Sequence, residues 1–350
     1  MKRKFVLNSK NQINRCILIF ILALLILVGL FNEFCEAEGN KVIKFLPDGG
    51  GPKWSPDGGY VSYYLNDYLW LYDVASDSSW QAVKYQGNKY EWLNDSQIVF
   101  FKVEKTRENG DITRKIILIF FNIYNSNNGV EYDSTQTFTV GSYSRPRSSP
   151  GLINDNAGTV ALIINDTAIV LSTDGKNRGT NKNSSYLRAS IIGHPGSYIG
   201  KPLPDDKGVW LLNIHGERLL RVSENSDFIL PILSPNGKLV ALSDPGGYTT
   251  ILNLNGDVIA RLYNADSECW GSNSDIIYFT KLVQGDETIE GGDLYSYSII
   301  TEKLSQLTNN PEIAEFHPQI SPDGTMLAYR TYHKKPIDGI EILLLEEVEQ

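Results

Sequence analysis

From residue 41 onward the chain alternates short apolar runs with clusters of turn-forming residues. One set of runs occupies Tyr60–Tyr63, Ile98–Phe101, Val160–Ile163, Leu239–Leu242, Ile276–Phe279 and Met326–Tyr329. A second set follows at Tyr68–Leu71, Ile116–Ile119, Ala168–Leu171, Val209–Leu212, Thr250–Asn253, Leu294–Tyr297 and Ile340–Leu343. β-branched and aromatic residues dominate both sets, which is the composition of pleated, buried strands. Their apolarity is nearly continuous rather than alternating, so these strands are expected to be covered on both faces.

The turns repeat as well. Trp54-Ser55-Pro56-Asp57-Gly58 returns as Ile320-Ser321-Pro322-Asp323-Gly324, with a close copy at Leu233-Ser234-Pro235-Asn236-Gly237. Looser copies are Trp92–Ser96, Ile153–Gly158, His194–Ser197 and Trp270–Ser274. The position of Asp57 recurs at 95, 157, 196, 236, 273 and 323, giving spacings of 38, 62, 39, 40, 37 and 50 residues. Proline presets one dihedral, Asp or Asn bonds its own backbone, and glycine supplies a positive φ. A second turn, Asp174-Gly175, His215-Gly216 and Asn255-Gly256, carries a hairpin signal later in the unit.

Seven units of four short strands predict an all-β chain, a seven-bladed β-propeller rather than one of six or eight blades. The 27 residues after Asp323 hold two further strands, while Val42-Ile43-Lys44-Phe45 belongs to no unit. The N-terminal strand is therefore expected to complete the last blade, which removes open sheet edges. The alternative is a solenoid with free ends.

The Ser-Pro-Asp-Gly turn followed by an apolar strand resembles the WD-repeat-like family of the TolB propeller and of the propeller domains of prolyl-oligopeptidase-type peptidases. The resemblance covers roughly residues 41–347 and is sharpest at Trp54–Gly58 and Phe316–Gly324. It implies a β-propeller, but not TolB itself, whose family carries an α/β domain before the propeller. No Gly-x-Ser-x-Gly elbow of the peptidases occurs in the chain.

Composition places this domain behind an export segment. Lys2, Arg3, Lys4, Lys10 and Arg15 precede an apolar run from Cys16 to Phe31, and Cys35-Glu36-Ala37 offers small residues for cleavage. Residues 1–37 read as a signal peptide, with an uncleaved N-terminal anchor as the alternative; residues 38–350 read as one propeller domain. The expected location is periplasmic or extracellular. Without the leader, 27 basic and 39 acidic residues remain, a net charge of −12. That balance disfavours nucleic acid and anionic membrane surfaces, so the membrane enters only through an uncleaved leader. Cys269 would be the sole remaining thiol, expected as a small buried hydrophobe in a monomer held by its core.

Candidate chemistry is sparse. His194 and His215 stand in turns. His317, in Phe316-His317-Pro318-Gln319, and His333, on the connection 330–339, are the best ligand candidates. Two charged insertions, Glu104–Asp111 and Gln284–Asp293, join equivalent strands and should project from one face, bringing Asp286 and Glu287 near a ligand. Residues Lys176–Ser185 have no apolar period and are expected as a mobile loop or a frayed outer strand. No catalytic set, metal site or cofactor emerges. The expected function is an exported, non-catalytic scaffold recognising a protein or glycan through loops on one face. The alternative is a carbohydrate-active lyase or hydrolase at the mouth of the channel.

Overall fold

Seven sheets, each of four antiparallel-meander strands in chain order or its one variant, account for the described residues of this all-β chain. The computed structural model describes residues 40–345 except 86–89, 109–110, 126–135, 144–150, 155–158, 165–166, 173–176, 182–185, 191–196, 203–207, 214–217, 224–228, 244–246, 285–288, 311–312 and 334–337. Val42–Leu345 form one compact unit. The segment 1–37 expected as a signal peptide, His194, His215, Asp286 and Glu287 lie outside the described residues.

After β1 (Lys41–Pro47), the first sheet is β2 (Gly50–Trp54), β3 (Tyr60–Leu65), β4 (Tyr68–Asp73) and β5 (Ser78–Lys84). The second is β6 (Tyr90–Asn94), β7 (Gln97–Glu108), β8 (Asp111–Asn122) and β9 (Gln136–Tyr143). The third is β10 (Gly151–Asn154), β11 (Thr159–Ile164), β12 (Thr167–Ser172) and β13 (Asn177–Asn181). The fourth is β14 (Tyr186–Ser190), β15 (Ser197–Pro202), β16 (Val209–Asn213) and β17 (Arg218–Ser223). The fifth is β18 (Ile229–Leu233), β19 (Leu239–Ser243), β20 (Tyr248–Asn253) and β21 (Val258–Tyr263). The sixth is β22 (Ala265–Trp270), β23 (Ile276–Gln284), β24 (Ile289–Ser298) and β25 (Leu304–Gln306). The seventh joins β26 (Ile313–Ile320), β27 (Met326–His333) and β28 (Gly339–Leu344) to β1, in the order β1-β28-β27-β26.

The repeated turn has one hydrogen-bond circuit. In the first sheet Ser55 N–H donates to Tyr60 O at 2.8 Å and Gly58 N–H to Ser55 O at 2.9 Å. The Ser55 hydroxyl donates to Asp57 at 2.6 Å and accepts from Tyr60 N–H at 2.9 Å. Ser234 with Asn236, and Ser321 with Asp323, repeat every one of these bonds. All three serines are fully buried, which is why a hydroxyl with both a donor and an acceptor partner recurs there. Gly58, Gly237 and Gly324 have φ of 76°, 69° and 80°, so the turn requires a left-handed residue at its fourth position.

Neighbouring sheets share cores and bonds. Trp54 Nε1 donates to Gln319 O at 2.8 Å, tying the first sheet to the seventh, and Trp270 Nε1 donates to Ile232 O at 3.1 Å, tying the sixth to the fifth. Trp92 Nε1 donates to the Ser62 hydroxyl at 2.8 Å across the first and second sheets. Leu46, Trp54, Val61, Tyr63 and Tyr72 pack in one buried cluster with Ala328, Ile340 and Ile342. Val209 and Val222 of the fourth sheet pack on Leu233, Val240 and Leu242 of the fifth. The first strands β6, β10 and β14 of the second to fourth sheets are successive neighbours. Each such core residue contributes roughly 1.5–3 kcal/mol by leaving water.

One expectation changes, and one alternative is decided. The described parts of the two charged insertions, residues 104–108 with 111 and 284 with 289–293, lie in strands rather than loops. β7 and β8 pair from Gln97↔Asn122 to Glu108↔Asp111, and β23 and β24 pair from Ile276↔Ser298 to Gln284↔Ile289. Cross-strand backbone bonds satisfy the peptide groups there, so charged side chains are no obstacle to extended structure. The stretch Lys176–Ser185 contains β13, which closes the outer edge of the third sheet and is irregular where Val170 and Leu171 face it.

Candidate functional site

The most chemically distinctive group of side chains sits where the seventh sheet meets the first. It begins with a β-bulge. β26 pairs with β27 through Phe316↔Arg330 and then Gln319↔Ala328, so His317 and Pro318 together oppose Tyr329 and one residue of β26 is extra. His317 adopts φ of 55°, a region costly for a residue with a β-carbon. The same bulge falls between Gly50 and Lys53 in β2, and there the left-handed residue is Gly51, at φ of 60°. His317 thus occupies a position that the first copy fills with glycine.

The bulge residues and their neighbours are held by packing. Gly50 and Gly51 let the Tyr64 ring lie against their backbone, since a β-carbon on Gly51 would meet that ring at 2.6 Å. Arg330 Nη1–H then donates to the Tyr64 hydroxyl at 3.2 Å. Arg330 and Tyr332 share a face of β27, being two residues apart, and the guanidinium carbon lies 4.3 Å from the Tyr332 ring centroid. Tyr332 in turn meets Phe316 edge-to-face at 5.5 Å. Partial burial holds the His317 imidazole below its usual range although the residue keeps an exposed surface; Asp266 opposes that shift and Arg330 adds to it. A neutral ring at pH 7 is the consequence.

Two buried carboxyls lie deeper. Glu315 is 2% exposed, accepts from the Thr308 hydroxyl and from Leu294 N–H at 3.3 Å, and is pushed up to about 7, chiefly by burial. Glu268 is similarly buried, accepts from the Thr249 hydroxyl, and is also raised to about 7 by burial, with Asp266 adding to the shift. Raised carboxyls accompany many acid–base sites, but these two are buried and bonded to neighbouring segments. Cys269 is equally quiet: burial raises its thiol to about 11, and its sulfur accepts from Ile320 N–H at 3.4 Å.

His333 ends β27, rather than lying on the connection, and pairs with Ile313. It is three pairs along the ladder from Arg330 and His317 lies on the other side of that pair, so the two histidine backbones are separated by roughly 13 Å along the strands. The register therefore does not make them cross-strand neighbours. No cluster of three or more His, Cys, Asp or Glu side chains suited to a metal ion occurs among the described residues. Arg330 and Tyr64 were not legible as a pair, because 266 positions separate them. The one available signal was the alignment of His317 with Gly51. Comparison with protein-family models and with curated proteins finds no match to the chain.

The bulge yields a prediction. His317→Gly is expected to be more stable than His317→Ala by about 1 kcal/mol, because both lose the imidazole but only alanine keeps the strained β-carbon. Urea unfolding midpoints measure the difference; equal midpoints would remove the argument from strain.

Proposed function

We propose that the seven sheets close into a seven-bladed β-propeller of the WD-repeat-like, TolB-like kind, and that it is an exported binding protein. Two observations support the ring: β1 completes the sheet of β26–β28, and Trp54 bonds across from the first sheet to Gln319 of the seventh. In such a ring all connections between second and third strands project from one face. That face carries the lengthened hairpins β7–β8 and β23–β24, together with Tyr64, Arg330 and Tyr332 near the hairpin ends of their own sheets. This gathering of a cation, aromatic rings and extended hairpins at one end carries the functional reading. It suits a surface that holds a protein or glycan partner, with the lysine- and arginine-rich leader directing export.

An enzyme at the channel mouth is the second reading, favoured only by the raised carboxyls Glu268 and Glu315. Both are buried, at 8% and 2% exposure, rather than lining an open cleft. Screening the full chain against peptide and glycan arrays tests the proposal. Saturable binding that is lost when the apex of β7–β8 or β23–β24 is trimmed, with no turnover of the bound molecule, is the expected result. Turnover abolished by Glu315→Gln would instead favour the enzyme.

A further inference from the structure

Arg330 is a cation engaged on one side and unmatched on the other. Its Nη1 is engaged by the Tyr64 hydroxyl, and its plane is braced by Tyr332. Its Nε–H, by contrast, is buried and has no hydrogen-bond acceptor. Of the four buried side-chain atoms without a partner among the described residues, it is the only one on a charged group. Leaving such a buried donor unmade is costly, the more so on a charged group. Fixing Nη1 leaves the Nε/Nη2 edge, and that edge is the fork which grips two oxygens of one carboxylate side by side.

The neighbours suit such an occupant. His317 is neutral at pH 7 and contributes no competing charge, while Asp266, which acts on the same imidazole, supplies one negative charge nearby. One carboxylate can be matched by the unengaged edge of Arg330. Reaching the buried Nε requires a side-chain adjustment, and exposed His317 and Tyr64, the latter 40% exposed, have room to make it.

We infer that the Nε/Nη2 edge of Arg330, at the junction of the seventh and first sheets, is a binding subsite for a ligand bearing a single carboxylate. This rests on the proposed binding face and names the chemistry it recognises. The carboxylate can come from an acidic sugar or from a peptide C-terminus.

Calorimetric titration of the full chain with two carboxylate probes and their neutral counterparts provides the test: glucuronate against glucose, and N-acetylalanine against its amide. At least one carboxylate probe is expected to bind saturably, and which of the two does so identifies the source. Its neutral counterpart should bind at least tenfold more weakly. Arg330→Gln should reduce affinity at least tenfold, and Arg330→Lys, which keeps the charge but lacks the fork, should recover only part of it. Should Arg330→Gln fail to fold, Tyr64→Phe frees Nη1 while leaving the cation, and a loss of several-fold is expected. No binding by either carboxylate, equal binding by the neutral probes, or unchanged affinity in the variants that fold overturns the subsite. If array partners still bind while Arg330→Gln changes nothing, the binding reading stands and this subsite alone falls.

Discussion

Removing residues 1–47 is expected to cost at least about 3 kcal/mol of stability, while removing residues 1–39 leaves it within about 0.5 kcal/mol. The reason lies in β1. It forms the edge of the seventh sheet beside β28, and Leu46 is buried in the cluster shared with the first sheet. Asp48 N–H also donates to Asp338 O at 2.7 Å, just beyond the strand. Without β1, the β28 edge and Ile340 open to water, and an unpaired edge invites association with other chains. The total stability of a domain is only about 5–15 kcal/mol, so a loss of this size shifts the urea midpoint clearly. Equal midpoints for the two truncations would remove β1 from its proposed place as the closing strand.

Stability is expected to rise as pH falls from 8 to about 5, opposite to the usual acid sensitivity. Glu315 and Glu268 have folded-state values near 7 against an ordinary 4.5, because burial disfavours the carboxylate. Asp293 and Glu341 add to the effect at Glu315, and Asp266 adds at Glu268. The folded chain therefore binds more protons than the unfolded chain between these limits, and stability declines as pH rises through them. Each carboxyl contributes up to roughly 3 kcal/mol, since one pH unit corresponds to 1.36 kcal/mol. His317 acts oppositely: its folded value is depressed, so its linkage weakens the fold as pH drops below the ordinary imidazole range. Asp323 counters at the acid end. Burial works against it, but bonds from Ser321 and Thr325 hold its value low, so stability is lost again once that carboxyl protonates. Denaturant midpoints at pH 5, 6, 7 and 8 give the profile, and Glu315→Gln should remove about half of the slope. A flat profile, or one rising toward pH 8, would show that neither carboxyl is held neutral.

Strands and turns were legible because each is specified locally. Ser55, Asp57 and Gly58 complete their circuit within six residues, and Val61 or Leu71 declares burial by composition alone. The hairpins were misjudged for the same reason. Glu104 and Lys105 carry loop-like polarity, whereas their extended state depends on pairing with Lys115 and Arg114, which a local reading does not weigh. At the candidate site, His317 was noticed as an imidazole, but its significance lies in its backbone. A lone arginine after an apolar run, as at Arg330, resembles the solvated end of a strand, so its sequence carries no signal of a site. Only tertiary packing brings Tyr64 to its Nη1 and leaves its Nε unmatched.

The sixth sheet writes the common turn with its letters exchanged. Gly271 stands where the first, fifth and seventh copies have serine, and Ser274, at φ of 65°, stands where they have glycine. Gly271 N–H still donates to Ile276 O at 2.8 Å and Ser274 N–H to Gly271 O at 2.9 Å. The displaced hydroxyl is put to a new use, accepting from Asn236 N–H of the fifth sheet at 2.9 Å. Main-chain geometry is thus the conserved currency of this architecture, and spelling is free to drift wherever another atom can occupy the vacated contact. A chain assembled from such units can diverge far in alphabet while each corner keeps its shape.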